Sequence, residues 1–173
     1  MCGIVGIISN EAVSREGIKA LRALENRGQN SSGIISYSSV TGKFDEAKRG
    51  IGSSQQVFNK EYLEEEVDKR KGNLLIGHNR YSTAGSDLKR DAQPLFISRP
   101  GMALAHNGQV LNIVSLKEKF RDKEWFFRTE CDAEVLMMTL AQNLLERRHE
   151  KTRDINNYLE KKLYPSLEDI MQK

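Results

Sequence analysis

The residue best placed to do chemistry is Cys2, directly behind the initiator Met1. A side chain this small allows an aminopeptidase to remove Met1. Cys2 would then carry a nucleophile and a base on one residue. An α-amine titrates at roughly 7.7–8.0, against about 10.4 for a lysine, so an appreciable part of it is free base at neutral pH. A free thiol titrates near ~8.5 and needs only modest help from a neighbouring base to react. The competing reading makes Cys2 a small apolar residue opening a strand. Three downstream features weigh against it: the polar run from His78 to Gly85, the Asn107-Gly108 step, and Asp132 ahead of a long apolar-periodic segment. An Asn-Gly step can aim a backbone N–H and a side-chain amide at one spot, the makeup of an oxyanion hole. By spacing alone it reads first as a hairpin turn, and Asp132 reads first as a helix cap. His78 and His106 offer a second way to activate the thiol, whereas His149 reads as a solvated residue at a charged helix end. The three histidines and two cysteines show no zinc-ligand spacing.

The elements that must position these groups follow from the apolar pattern. Residues 3–8 are apolar and β-branched and predict a buried strand. Ala12 to Asn26, with Ile18, Leu21 and Leu24 on one face, predicts an amphipathic helix, and Gly28 is placed as its C-terminal stop. Gly33 to Tyr37 and Lys43 to Arg49 read as strands around a Thr41-Gly42 turn. Glu61 to Arg70 reads as a solvated helix face. Asn73 to Gly77 predicts another strand, running into the polar stretch 78–85 as a loop. Leu95 to Ser98 and Met102 to Ala105 predict a strand pair joined by Pro100-Gly101, which suits a type II turn. Val114 to Arg121 reads as helix, and Trp125 to Phe127 as a short aromatic strand. Ala133 to Arg148, with Leu136, Leu140 and Leu144 in register, predicts a long helix. The tail predicts further helix, broken at Pro165.

Composition bounds the class. A chain of 173 residues suits one domain with a real core. The net charge of +3, with no basic stripe interleaved with aromatics, argues against nucleic acid. No apolar run approaches the ~20 residues of a membrane span, and no signal peptide is legible. Two cysteines are too few for a secreted disulfide framework, which predicts free thiols in a reducing, cytoplasmic compartment.

Six stretches then occur in a telling order: Cys2-Gly3-Ile4-Val5-Gly6-Ile7, Arg27 to Ile34, Gly77 to Gly85, Ala92-Gln93-Pro94, Ala105 to Gly108 and Cys131 to Glu134. Together they resemble the class II glutamine amidotransferase domain, an N-terminal-nucleophile hydrolase. The branch whose wording is most similar is the glutaminase domain of amidophosphoribosyltransferase. The resemblance implies an α+β fold, a four-layer αββα sandwich of antiparallel sheets. It implies one glutaminase domain over 1–173 that lacks its final strands at the C-terminus and any synthase domain. It also implies roles. Cys2 would be the nucleophile, and Asn107 and Gly108 would form the oxyanion hole. Arg80 would clamp the carboxylate of glutamine, and Asp132 its α-amino group. Arg27 would organise the nucleophile region, and Thr83 would lie in a loop closing over glutamine.

The resemblance calls for no cofactor or metal in the glutaminase reaction. It does call for a partner, namely a synthase domain or subunit that accepts ammonia, within a homo- or hetero-oligomer. The phosphoribosyl-diphosphate signature, an apolar strand ending in paired acidic residues before a Gly-Thr-Thr-type loop, does not occur in these residues. Two alternatives stay open. One is a glutaminase subunit of a glutamate-synthase-like complex, and the other a non-catalytic regulatory or scaffold subunit of the same fold.

Overall fold

Strand pairing begins with the first apolar run. In a computed structural model, which describes residues 1–82, 89–121 and 126–163, β1 (Gly3–Ile8) pairs antiparallel with β5 (Leu74–Arg80). Gly3 stands opposite Asn79, and Ile8 opposite Leu74. The other edge of β5 pairs antiparallel with β2 (Ser31–Ser38). The far edge of β2 carries two short strands, β3 (Lys43–Phe44) and β4 (Lys48–Ile51). Alternation along a strand sends successive side chains to opposite faces, so this five-stranded sheet has two distinct faces.

One face carries the first core. Val5, Ile34 and Leu75 point to α1 (Ser14–Ala23), which lays Ile18 and Leu21 on them. Two further short helices, α2 (Ser54–Val57) and α3 (Lys60–Glu65), close the cluster with Val57, Phe58 and Tyr62. The opposite face receives the hairpin of β6 (Leu95–Ile97) and β7 (Met102–Leu104). Phe96 stacks on Phe44 with ring centroids 5.0 Å apart, and Arg49 Nη1 donates to the carbonyl of Ala92. Leu95 points the other way, into a second cluster with Cys131, Ala133 and Met137 around the start of α5 (Asp132–Leu163). This long helix is flanked by α4 (Ile113–Arg121). The layers therefore run helix, sheet, sheet, helix. The second sheet has two strands among the described residues, and Ile4 and Ile8 of β1 remain exposed on the face it shares.

Several expectations shift. The strand predicted over 43–49 is split into β3 and β4. The segment 61–70 is α3 plus a 3-10 turn at Val67–Lys69, and Tyr62 and Val67 are buried rather than solvated. Helix α2 leaves no legible signal in the sequence, being about one turn long. Strand β5 continues through His78, Asn79 and Arg80, where the polar side chains suggest a loop. They remain strand because β1 and β2 flank this end of β5 on both sides. Gly28 is no left-handed helix stop. Its φ is −173°, and a Cβ there would lie 2.6 Å from the backbone of Arg80, so the glycine serves close approach to β5. Phe126 and Phe127 form no strand. Helix α5 runs unbroken from Asp132 to Leu163. Trp125 and Pro165 lie outside the described residues.

Between the two sheets, His78 is fully buried, and neither ring nitrogen has a hydrogen-bond partner among the described residues. Burial, with the Arg80 charge adding to it, pushes its imidazole down to about 4. The fold thus holds a neutral ring, whereas the unfolded chain takes up a proton below ~6.5. The sign follows: the native state is fully stable above pH ~6.5 and loses stability as pH falls toward 4. The loss has an upper limit of about 3 kcal/mol. Urea unfolding of wild type and His78→Leu across pH 4 to 7 should show a flatter acid limb in the variant; parallel limbs would remove His78 as the cause.

Candidate active site

Segments distant in sequence converge on a cleft of about 600 Å3 at the end of the sheet where β1 begins and β5 finishes. Because Gly3 pairs with Asn79, Cys2 falls beside Arg80 and Tyr81. The Tyr81 N–H donates to Cys2 Sγ at 3.4 Å. The Cys2 backbone nitrogen donates to Asn107 Oδ1 at 3.2 Å. Arg27, at the end of a 3-10 turn after α1, donates from Nε to the Cys2 carbonyl at 3.2 Å, and its Nη2 lies 3.9 Å from Met1 Sδ. Cys2 is therefore held by backbone, an amide and a guanidinium, not by an imidazole. His78 does not line the cleft. His106 does line it, but neither ring is hydrogen-bonded to Cys2.

The Asn107-Gly108 step is no hairpin turn. It follows β7 as irregular chain, and Gly108 does not adopt a positive φ. A Cβ on Gly108 would lie 2.7 Å from the His106 ring, so the glycine lets that ring pack close against the chain. Asn107 has turned its side-chain oxygen to the Cys2 nitrogen, which places its amide and the thiol on one wall of the cleft.

Charged groups also line the cleft. Arg80 is largely buried, donating from Nη1 to the Asp91 carbonyl at 2.7 Å and pairing through Nη2 with Asp91 Oδ2 at 3.2 Å. Its Nε has no partner among the described residues. A carboxylate arriving here would share the guanidinium with Asp91, a residue that nothing in the sequence singles out. Asp132 is the first residue of α5. Its Oδ2 accepts the Val110 N–H at 2.9 Å and lies 3.6 Å from His106 Nε2. The chain leading into α5 is held by Glu134, whose carboxylate accepts the N–H groups of Arg128 and Thr129, and by Thr129 Oγ1, which accepts the Cys131 N–H. Asp132 remains in the cleft wall. Cys2, Arg27, Arg80, Asn107, Gly108 and Asp132 all meet here. Thr83 lies outside the described residues.

The family model for the glutamine amidotransferase domain matches residues 63–148. Amidophosphoribosyltransferase of Haemophilus influenzae is 36% identical over 146 residues, which is 83% of this chain and 28% of that protein. The Escherichia coli protein of the same name is 36% identical over 151 residues, 86% of this chain and 29% of its own length. The chain carries a class II glutamine amidotransferase domain. It spans less than a third of the curated relatives it matches. Among solved structures, the glutamine phosphoribosylpyrophosphate amidotransferase of Bacillus subtilis, complexed with ADP and GMP, superposes with a TM-score of 0.65 at 31% identity, covering 79% of this chain and 28% of that one. A second, described as the allosteric regulatory enzyme of purine biosynthesis, gives 0.68 at 33% identity, covering 80% and 29%. These neighbours have the N-terminal-nucleophile hydrolase fold, and the layer order described above is that of the amidotransferase sandwich.

The division of labour between the two carboxylates is testable on stability alone. Glu134→Ala leaves the Arg128 and Thr129 N–H groups without this acceptor and should cost about 1–3 kcal/mol. Asp132→Ala leaves the Thr129 and Glu134 bonds intact and should cost clearly less. Thermal melting of the two variants side by side checks the order, and a larger loss for Asp132→Ala would give the structural role to that residue.

Proposed function

We propose that this amidotransferase domain hydrolyses the side-chain amide of glutamine through a thioester on Cys2, and that its ammonia goes to the acceptor site of a synthase domain or subunit. The observation that carries the reading is the placement of Cys2 and Asn107 within hydrogen-bond reach in a cleft that Arg80 and Asp132 also line. An amino acid bound by its charged groups at Arg80 and Asp132 would extend its side-chain amide toward the thiol.

The cycle starts with loss of Met1. With Met1 attached, the Cys2 nitrogen is an amide and cannot serve as base. Once freed, the amine accepts the thiol proton as Sγ attacks the amide carbon. Asn107 and Gly108 hold the oxyanion of the tetrahedral intermediate. The amine then protonates the leaving nitrogen, ammonia departs, and water attacks the thioester to release glutamate. Cys131 is a poor rival nucleophile, because burial pushes its thiol above the usual range and so keeps it protonated.

The names of the relatives favour phosphoribosyl diphosphate as the acceptor, giving phosphoribosylamine for purine synthesis. The acceptor would be bound within a homo- or hetero-oligomer operating in the cytoplasm; no described helix is long and apolar enough to cross a membrane. Supplying each acceptor system in turn and following glutamine consumption would tell a glutamate-synthase-like acceptor from this one. A regulatory role for the chain predicts retained Met1, whose sulfur sits against Arg27.

Mass spectrometry of the purified protein should therefore find Cys2 at the N-terminus. An electrophilic glutamine analogue should label Cys2 and abolish glutaminase activity, and Cys2→Ser should nearly abolish it while Cys131→Ser does not. Activity lost only in Cys131→Ser would overturn the assignment. For the oxyanion hole, Asn107→Ala should lower kcat by about 10²–10³ with melting temperature little changed. A drop in melting temperature with kcat preserved would make Asn107 a turn residue only. Arg80→Ala is a less clean probe, since it also removes a cationic partner of the buried Asp91 carboxylate. Asp132→Ala tests the clamp better, through a raised glutamine KM.

A further inference from the structure

The stretch Ala92-Gln93-Pro94 has no part in the reaction as described, yet Gln93 is 3% exposed and its side chain spans the site. Its Oε1 accepts the His106 N–H at 2.7 Å. Its Nε2 donates to Cys131 Sγ at 3.3 Å. The first bond ends one residue before Asn107 and two before Gly108. The second ends on a sulfur that also receives Arg80 Nη1 at 3.5 Å and lies 3.8 Å from Asp132 Oδ1. One side chain thus joins the segment carrying the oxyanion donors to the sulfur at which Arg80 and Asp132 meet. Its own backbone cannot drift, because its carbonyl sits against β2, where a Cβ on Gly33 would come within 2.4 Å.

We infer that Gln93 is a positioning residue that sets the distance between the oxyanion donors and the amino-acid clamp, and so selects glutamine over side chains one methylene shorter. The inference rests on the reading of the cleft as a glutamine site. The groups lining the cleft come from different layers: Cys2 and Arg80 from the large sheet, Asp132 from α5, Asn107 from the chain leaving the small sheet. That last segment meets α5 through side-chain contacts, the Val110 N–H bond to Asp132 and the approach of His106 to the same carboxylate. A substrate gripped at its α-carbon end must present its amide carbon at the thiol, so an error of one bond length in this spacing misaligns attack. A misplacement of about 1 Å can cost on the order of 10²-fold in rate. An amide is suited to the span because one end accepts from a backbone N–H and the other donates to sulfur. Neither a hydrocarbon nor a carboxylate can do both.

The test uses two diazoketones that alkylate a bound thiol, one of glutamine length and one shorter by a methylene, with the rate of Cys2 adduct formation followed by mass spectrometry. Wild type should prefer the longer reagent by about 10–200-fold, the range one methylene can command. Gln93→Met keeps the length of the side chain and removes both hydrogen bonds. It should narrow that preference about tenfold or more, because the bridge from the oxyanion donors to Cys131 is lost and the Val110 and His106 contacts to Asp132 remain, while thermal melting stays cooperative. Cys131→Ala removes the far anchor, together with the Arg80 contact to the same sulfur, and should narrow it in the same direction. A folded Gln93→Met with the wild-type preference overturns the inference. If Gln93→Met does not fold, a wild-type preference in Cys131→Ala overturns it instead. If neither reagent labels wild-type Cys2, the glutamine reading falls, and this inference with it. A purely structural Gln93 would lower melting temperature and slow both reagents equally, which also counts against it.

Discussion

The antiparallel pairing of β1 with β5 is the constraint on which the rest of the molecule depends. Side chains alternate along a strand, so slipping the register by one residue would send every side chain of β1 to the opposite face. In the observed register Gly3 faces Asn79, which leaves Cys2 beside the last residue of β5, on the side of Arg80. A slip would turn Cys2 toward α1 and away from the cleft. The register is enforced by burial: Val5 belongs on the α1 side with Ile34 and Leu75, in the first core. The apolar core thus aims the thiol without contributing a group to its chemistry.

In and around the cleft several titratable groups are buried or partly buried, where an unpaired charge is costly. The structure answers each with a partner or with neutrality. Arg80 is paired with Asp91. Glu134 accepts the backbone N–H groups of Arg128 and Thr129, in the chain before α5, and the Thr129 hydroxyl. His78 stays neutral. Asp132 keeps a bond to the Val110 N–H and still faces the cleft. The charged residues of the cleft are thus held in place by polar groups that do not themselves line it, Glu134 among them.

The two sheets contribute unequally to this arrangement. The five-stranded sheet, packed against α1, α2 and α3, is a platform that presents Cys2 and Arg80. The β6–β7 hairpin is small, and the Phe96–Phe44 contact and the bond from Arg49 to Ala92 hold it to the platform. Asn107 and Asp132 reach the site from this second layer and its helix. The cleft is thus an interface between layers, which makes its width depend on side-chain bridges more than on backbone pairing.

Much of this is legible in the sequence. The small residue behind Met1, the apolar run after it, the Arg80 and Asp132 stretches and the Asn107-Gly108 step mark the site, and hydrophobic periodicity locates α1, β6, β7, α4 and the first part of α5. These signals are local, carried by residue type and spacing within one element. What the tertiary structure decided is non-local. It extended β5 through three polar residues, because neighbouring strands on both edges satisfy their backbone whatever their side chains. It buried Tyr62 and Val67 in a segment that reads as charged. It set Glu134 against the N–H groups of Arg128 and Thr129, and it brought Asp91 to Arg80 and Gln93 to His106 and Cys131. Each of these depends on which side chains meet across layers, and spacing along a single chain does not encode the distance between residues that only folding brings together.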